Sequence, residues 1–262
     1  MSIVLLIAAG CSRPPYYATN KLYKKQAASY AATLKQTPSL ADTLAQPPYW
    51  VGTVNFNMRK PNFVIIHHTA QDSCGQTLKT FTTAKSQVSA HYVICKDGTI
   101  HHMLNDYLRA WQAGISKWGN VTDVNSVSIG IELDNNGHEP FPDAQITSLL
   151  QLLARLKKDY GIPTANFIGH ADIAPTRKND PNVFFPWKKL SEHGFGLWYD
   201  NLPAIPDSNF NSILALRIIG YDVRDTTAAI RSFKRHFMQD TATRVLNDAD
   251  RQVLYKLYQK YL

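Results

Sequence analysis

The sequence predicts an α/β or mixed α+β domain over roughly residues 50–200, followed by a small helical module. Three observations carry this. The β-branched runs in "NFVIIHHTA" and "SVSIGIELDNNG" read as buried strands bounded by turn formers. Between the second of them and a third short run, "ANFIGH", lies "DAQITSLLQLLARLKKDYG", with Ile146, Leu149, Leu150, Leu153 and Leu156 at helical spacing. Beyond the Gly/Pro-punctuated "GFGLWYDNLPAIPD", three more segments keep a helical period. Strands with interposed helices imply a layered domain around one sheet.

Residues 1–11 hold an apolar run, Ile3 to Ala9, that ends in small residues before Cys11. The run is too short to span a bilayer as a helix and suits the core of an export signal, although no Lys or Arg precedes it. Ala8-Ala9-Gly10-Cys11 resembles the bacterial lipobox, which implies a lipid anchor on Cys11. Ser12 after that cysteine implies an outer-membrane lipoprotein facing the periplasm of a Gram-negative bacterium. Residues 12–58 are rich in Pro, Tyr, Ala, Gln and Thr and read as a tether and wrapping segment entering the fold near "PPYWVG".

Residues 59–200 carry the strands and helices of the main domain. The first strand ends in His67-His68, and "LKTFTTAKSQV" reads as a helix. "SAHYVICKDGTIHHML" reads as a hairpin around Asp97-Gly98. Glu132 is set inside the "SVSIGIEL" strand. The long helix has Asp143 near its start and Gly161 closing it, and the last strand delivers His170. Residues 201–262 hold the three short helices, in "NFNSILALRIIGYD", "TTAAIRSFKRHF" and "LNDADRQVLYKLYQKYL".

An apolar fraction of 44% with 11% aromatics is enough to bury a core. Only 18% of residues are charged, yet the net charge is +8, which favours an anionic partner: nucleic acid, a membrane surface or a wall polymer. No run of nucleic-acid-binding type stands out; "LYKKQ" and "RSFKRHF" are helix-surface patterns. Cys74 and Cys95 are a disulfide in an oxidising compartment or two unrelated thiols, and spacing does not decide.

His67, His170 and Asp180 supply two imidazoles and a carboxylate, a competent zinc set that leaves a fourth position for water or substrate. Glu132 is costly in a buried strand unless it has a task, such as taking a proton from the attacking water. Lys178 offers a positive charge where an oxyanion develops. Singly, each has an ordinary reading: strand-end histidines bonded to backbone, an aspartate before proline in a turn, a glutamate paired in the core, a solvated lysine. The case rests on the joint pattern.

"VIIHHTA", "SAHYVICKDG", "AWQAG", "VSIGIEL" and "GHADIAPTRKNDP" follow one another in the order and spacing of the type-2 N-acetylmuramoyl-L-alanine amidases. These zinc peptidoglycan amidases share a fold with peptidoglycan recognition proteins and phage T7 lysozyme. The resemblance covers about residues 60–190, and with the lipobox in front and the helices behind, the whole chain resembles the outer-membrane lipoprotein branch.

The resemblance implies a mixed central β-sheet flanked by helices, with a small C-terminal three-helix domain similar to peptidoglycan-binding modules. It implies one zinc ion on His67, His170 and Asp180, with Glu132 and Lys178 catalytic. His91 is expected at the active-site floor, either supporting the site from behind or in contact with substrate and not as a metal ligand, and Trp111 and Trp118 are expected to shape a sugar or peptide subsite. The reaction implied is hydrolysis of the amide between the lactyl group of N-acetylmuramic acid and L-alanine. The partners implied are peptidoglycan or muropeptides and, through the anchor, a membrane, with no nucleic acid and a monomeric chain.

One departure stands out: Gln112 lies where many relatives have histidine, so any substrate-binding role of that position is weakened or reassigned. His68, His101, His102, His138, His193 and His236 are assigned to structure or surface. The main rival is a non-catalytic peptidoglycan recognition module. Such relatives tend to lose a zinc ligand, and this chain keeps all three. A nucleic-acid-binding protein accounts only for the charge.

Overall fold

A five-stranded sheet in the order β3-β2-β4-β1-β5 organises the chain. The computed structural model describes residues 13–36, 51–58, 60–199, 206, 209–241 and 243–262. Strand β1 (Phe63–His68) lies between β4 (Ser128–Leu133) and β5 (Phe167–Gly169), parallel to both. Strand β2 (Tyr92–Ile94) runs parallel to β4, and β3 (Ile100–His102) returns antiparallel to β2 as the expected hairpin. The sheet is therefore mixed, with a parallel interior.

Alternation along β1 divides its side chains between two apolar clusters. Val64 and Ile66 face the first cluster, with Ile129, Ile131 and Leu133 of β4. Helix α3 (Asp143–Tyr160) covers that face with Ile146, Leu149, Leu152, Leu153 and Leu156. Its Asp143 start, its Lys157 and Lys158 end and Gly161 in the left-handed region follow the expected polarity. Ile65 and Ile168 face the second cluster. Each such fully buried aliphatic stabilises the fold by about 1.5–3 kcal/mol.

The second cluster is completed by the three C-terminal helices, α6 (Ser212–Ile219), α7 (Thr226–Met238) and α8 (Asp248–Tyr261). Their starts are capped by Asn211, Asp225 and Asn247, whose side chains accept backbone N–H groups of the first turn. Leu216, Ile219, Phe233, Leu254 and Leu257 pack with Ile65, Ala113, Trp118 and Ile173, so segment 201–262 and the sheet share one core within the unit Met58–Leu262. Gly220, at φ 134°, ends α6 against the Trp118 indole, where a Cβ would lie 2.4 Å from Cε2. Only glycine permits that approach.

Several elements depart from the sequence expectation. Helix α2 (Cys74–Thr82) starts at Cys74, before the "LKTFTTAKSQV" stretch, because the Ser73 hydroxyl accepts from Gln76 N–H; it ends at Thr82. Two short helices, α4 (His170–Ile173) and α5 (Trp187–Glu192), were not foreseen, and His170 opens α4 instead of ending β5. Segment 12–58, expected to be a tether and wrapping segment, holds an 18-residue helix, α1 (Tyr17–Leu34), that lies in the unit Met1–Asn57 and buries none of its side chains. The lipobox and Cys11 lie outside the described residues, as does the "PPYW" part of the proposed entry segment. No helix among the described residues is long and apolar enough to cross a membrane.

Cys74 and Cys95 are joined in a disulfide that closes a loop of sequence separation 21. A loop of that length raises stability by about 3 kcal/mol through the unfolded chain. The Cys74→Ser/Cys95→Ser double variant is expected to lose that amount in urea denaturation. An unchanged midpoint would assign the bridge no stabilising role.

Candidate metal centre and active site

The strand order places three chemistry-bearing residues at neighbouring carboxyl ends of parallel strands, where open α/β sheets place their ligands. His67 lies near the end of β1, and Glu132 is its partner in the β1–β4 register. His170 follows β5 directly, as the first residue of α4. The loop after α4 then turns back: Arg177 and Lys178 donate their backbone N–H groups to the Ala174 carbonyl. Ala171 N–H donates to the Asp180 carbonyl at 2.7 Å, which returns the Asp180 carboxylate to His170. The Asp180–Pro181 peptide is cis.

His67 Nδ1, His170 Nδ1 and Asp180 Oδ2 form a nearly equilateral triangle with edges of 2.9, 3.0 and 3.0 Å. All three residues are buried. The far sides of both rings face acceptors: His67 Nε2 meets Gln112 Oε1 at 2.6 Å, and His170 Nε2 meets the Ala113 carbonyl at 3.1 Å. A carbonyl oxygen can only accept, so each Nε2 carries the ring proton. Each neutral ring then aims its Nδ1 lone pair at the other and at a carboxylate. Three such lone pairs repel unless a cation lies among them.

The charges point the same way. Burial opposes a proton on His67, but the Glu132 and Asp180 carboxylates outweigh it and raise the His67 pKa above its ordinary value. Burial, reinforced by His67, depresses His170 to about 4. Burial would raise Asp180, yet His170 and His67 hold it well below the usual carboxylate range. Positive charge is thus drawn to the point where the three donors meet. A zinc ion bonded at about 2.0–2.1 Å sets donor–donor edges of about 3.3 Å in a tetrahedral shell, close to the triangle seen. The donor set fits a metal ion.

Glu132 Oε1 lies 3.9 Å from His67 Nδ1, and its Oε2 is buried with no hydrogen-bond partner. Burial raises the Glu132 pKa to about 7, against the opposing pull of His67 and, more weakly, Lys178. A cation at the triangle adds to that opposing pull. Lys178 is half-buried on the returning loop, and its charge is felt at Glu132 and at His170. The structure therefore brings His67, Glu132, His170, Lys178 and Asp180 together.

The three expected substrate residues separate. Trp111 is 55% exposed, beside Gln112 and Ala113, which back His67 and His170. Trp118 is 8% exposed and packs edge-on to Tyr221 in the second cluster, so it supports the helical segment and lines no subsite. His91 is fully buried: its Nδ1 accepts Gly130 N–H and its Nε2 meets the Leu108 carbonyl. Both of its nitrogens are engaged with backbone, so it stands just before β2 as a buried support and offers neither nitrogen to a ligand. Gln112 sits behind His67, on the side of the ring away from the triangle.

Sequence reasoning missed Asp172. Its buried carboxylate accepts from Gly169 N–H (2.8 Å), Tyr221 O–H (2.8 Å) and Ser232 O–H (3.3 Å), and lies 2.7 Å from His236 Nδ1. Burial and Asp172 raise the Tyr221 pKa well above its usual value, so that hydroxyl keeps its proton. His236 stacks on Trp187 at 3.9 Å. Asp172 thereby ties the turn that presents His170 to helix α7 and to the segment joining α6 and α7. The signal in the sequence was faint: an aspartate within an otherwise apolar "HADIA".

The family described as N-acetylmuramoyl-L-alanine amidase matches residues 57–183. The chain is 34% identical over 231 residues to the N-acetylmuramoyl-L-alanine amidase AmiD of Escherichia coli K12, covering 76% of this chain and 82% of that protein. It is 40% identical over 104 residues to the 1,6-anhydro-N-acetylmuramyl-L-alanine amidase AmpD of Haemophilus influenzae, covering 39% of this chain and 56% of that one. A solved structure of Escherichia coli AmiD with the substrate anhydro-N-acetylmuramic acid-L-Ala-D-γ-Glu-L-Lys superimposes with a TM-score of 0.70 at 30% identity, covering 80% of this chain and 93% of that one. The structure of AmpDh3 from Pseudomonas aeruginosa does so with a TM-score of 0.70 at 28% identity, covering 84% and 99%. Sheet order, site geometry and similarity along most of its length agree: the chain belongs to the N-acetylmuramoyl-L-alanine amidase family.

Proposed function

We infer that the protein is a zinc-dependent hydrolase of the amide between the lactyl group of N-acetylmuramic acid and L-alanine, in peptidoglycan or its fragments. The observation that carries this reading is the buried donor triangle of His67, His170 and Asp180 with the unpartnered Glu132 Oε2 beside it. Relatives solved with anhydromuramoyl peptides support muropeptides as the ligand class.

His67, His170 and Asp180 hold one zinc ion. When bound, the ion supplies Lewis acidity towards the amide carbonyl and acidifies water. Glu132 takes the proton of the attacking water and returns one to the departing amine of L-alanine. Its burial favours that exchange by raising its proton affinity towards neutrality. Lys178 places its ammonium to stabilise the developing oxyanion. Trp111, exposed at the rim, gives the sugar or peptide an apolar face.

The net charge of +8 suits an anionic wall polymer. The lipobox-like Ala8-Ala9-Gly10-Cys11 supports lipid anchoring at Cys11, and Ser12 after it an outer-membrane location facing the periplasm. Segment 201–262 is proposed as a peptidoglycan-binding element as well as part of the core.

Mass spectrometry of muropeptides incubated with the full chain tests bond, substrate and metal together. The expected products are the free stem peptide and the unsubstituted muramic sugar. Chelation is expected to reduce them to background and added zinc to restore them. Cleavage at another bond, or products that persist after complete metal removal, would overturn the reading.

A further inference from the structure

The segment Trp111-Gln112-Ala113-Gly114 backs both metal histidines. The Ala113 carbonyl takes His170 Nε2–H and also Arg177 Nη2–H at 2.8 Å. The Gln112 side-chain carbonyl takes His67 Nε2–H at 2.6 Å. Asn125 Oδ1 in turn accepts the backbone N–H groups of Gln112 and Ala113, at 3.1 and 2.8 Å, and so fixes the segment.

The orientation of the Gln112 amide follows from a third partner. Ser128 Oγ lies 2.6 Å from the Val124 carbonyl, which can only accept, so the hydroxyl proton goes there. What remains on Ser128 is a lone pair, and Gln112 Nε2 lies 2.7 Å from it. The amide nitrogen must therefore face Ser128, which turns the amide oxygen towards His67. Gly130 leaves room for this: a Cβ there would lie 2.6 Å from Gln112 Cγ. Gln112 and Ser128 are both buried, so neither orientation is set by solvent.

We propose that Gln112, oriented by Ser128, is a positioning residue that holds the His67 ring with its Nδ1 lone pair on the metal. The chain runs from the Val124 carbonyl through the Ser128 hydroxyl and the Gln112 amide to the His67 Nε2–H. Each link has one direction only, so the ring cannot turn over or move its proton to Nδ1 without leaving the buried Gln112 carbonyl oxygen with no donor. The inference rests on the metal reading of the triangle.

The test measures zinc dissociation from the zinc-loaded full chain by chelator competition, alongside thermal stability. Gln112→Met keeps the volume and removes both polar contacts; it is expected to bind zinc about 10–100-fold more weakly. Gln112→Glu keeps an acceptor for His67 and lets the Ser128 hydroxyl turn to its second oxygen; it is expected to keep the wild-type affinity within a few-fold. A pure packing role predicts the reverse order, because methionine packs as well as glutamine and a buried carboxylate does not. Methionine with wild-type affinity would therefore overturn the proposal.

Should Gln112→Met not fold, Ser128→Ala leaves Gln112 in place and frees its amide, and an affinity between those of wild type and a non-binding His67→Ala control is expected. In zinc-loaded wild type, the His67 Nε2 proton is expected as a slowly exchanging NMR signal, lost in Gln112→Met and kept in Gln112→Glu. A wild-type chain that binds no zinc would sink the metal reading itself. Zinc binding unaffected by every Gln112 and Ser128 variant would sink only this proposal.

Discussion

Glu132→Gln is expected to bind zinc as the wild type does and to lose turnover by about 10²–10⁴-fold, the range that a positioned acid–base group supplies. Glutamine matches the volume of glutamate and fits the same place in β4, so the sheet has no reason to shift. The register that pairs residue 132 with His67 is held by backbone, and the substitution leaves it intact. What disappears is a carboxylate beside the donor triangle that is free to accept a proton, since Asp180 and both imidazoles are engaged. Metal content by elemental analysis and steady-state cleavage of muropeptides separate the two effects. Undiminished turnover with metal retained would remove Glu132 from the role of base.

The second large effect is expected at a residue that touches no substrate. Asp172→Ala strips one acceptor from Gly169 N–H, Tyr221 O–H, Ser232 O–H and His236 at once. Removing one member of a buried charged hydrogen-bond cluster costs about 3–5 kcal/mol. Urea denaturation is expected to show that loss. Zinc affinity should fall as well, because the lost contacts hold the turn that starts with His170. Unchanged stability would mean that the cluster is not the joint between the sheet and α7. The same geometry alters what removal of segment 201–262 should do. As a separable tether it would leave turnover on small soluble fragments intact. A segment that supplies Tyr221, Ser232 and His236 to the active-site turn should take that turnover with it.

The sequence made the central strands and α3 legible because their signals are local: β-branched runs for β1 and β4, and a five-residue apolar stripe with an acidic start and a glycine end for α3. Helix α1 escaped notice because it has no apolar stripe; its Ala, Lys, Gln and Leu favour a helix by propensity alone. The candidate donors His67, His170 and Asp180, with Glu132, were legible through a family pattern; the fold places them on β1, at the start of α4, on the loop that returns from it and on β4.

The surroundings were not legible in the same way. Whether Trp118 is exposed depends on Gly220, about a hundred residues later, laying its backbone on the indole. Whether His91 meets substrate depends on Gly130 N–H and the Leu108 carbonyl filling both of its nitrogens. Gln112 read as a position whose substrate role is weakened or reassigned, since nothing in its own neighbourhood says that Ser128 will orient it towards His67. Such roles are set by what the fold brings alongside, and no window of sequence contains them.

The pairing of His67 with Glu132 across β1 and β4 makes the strand register a ruler with one-residue graduations. Sliding β1 by a single position would present Ile66 or His68 opposite Glu132 and send His67 to the opposite face. The distance between His67 and Glu132 therefore cannot drift by small increments as the surface changes; it is kept whole or lost. A lineage carrying this sheet is free to rework its rim aromatics, while the His67–Glu132 pairing is inherited as an indivisible step.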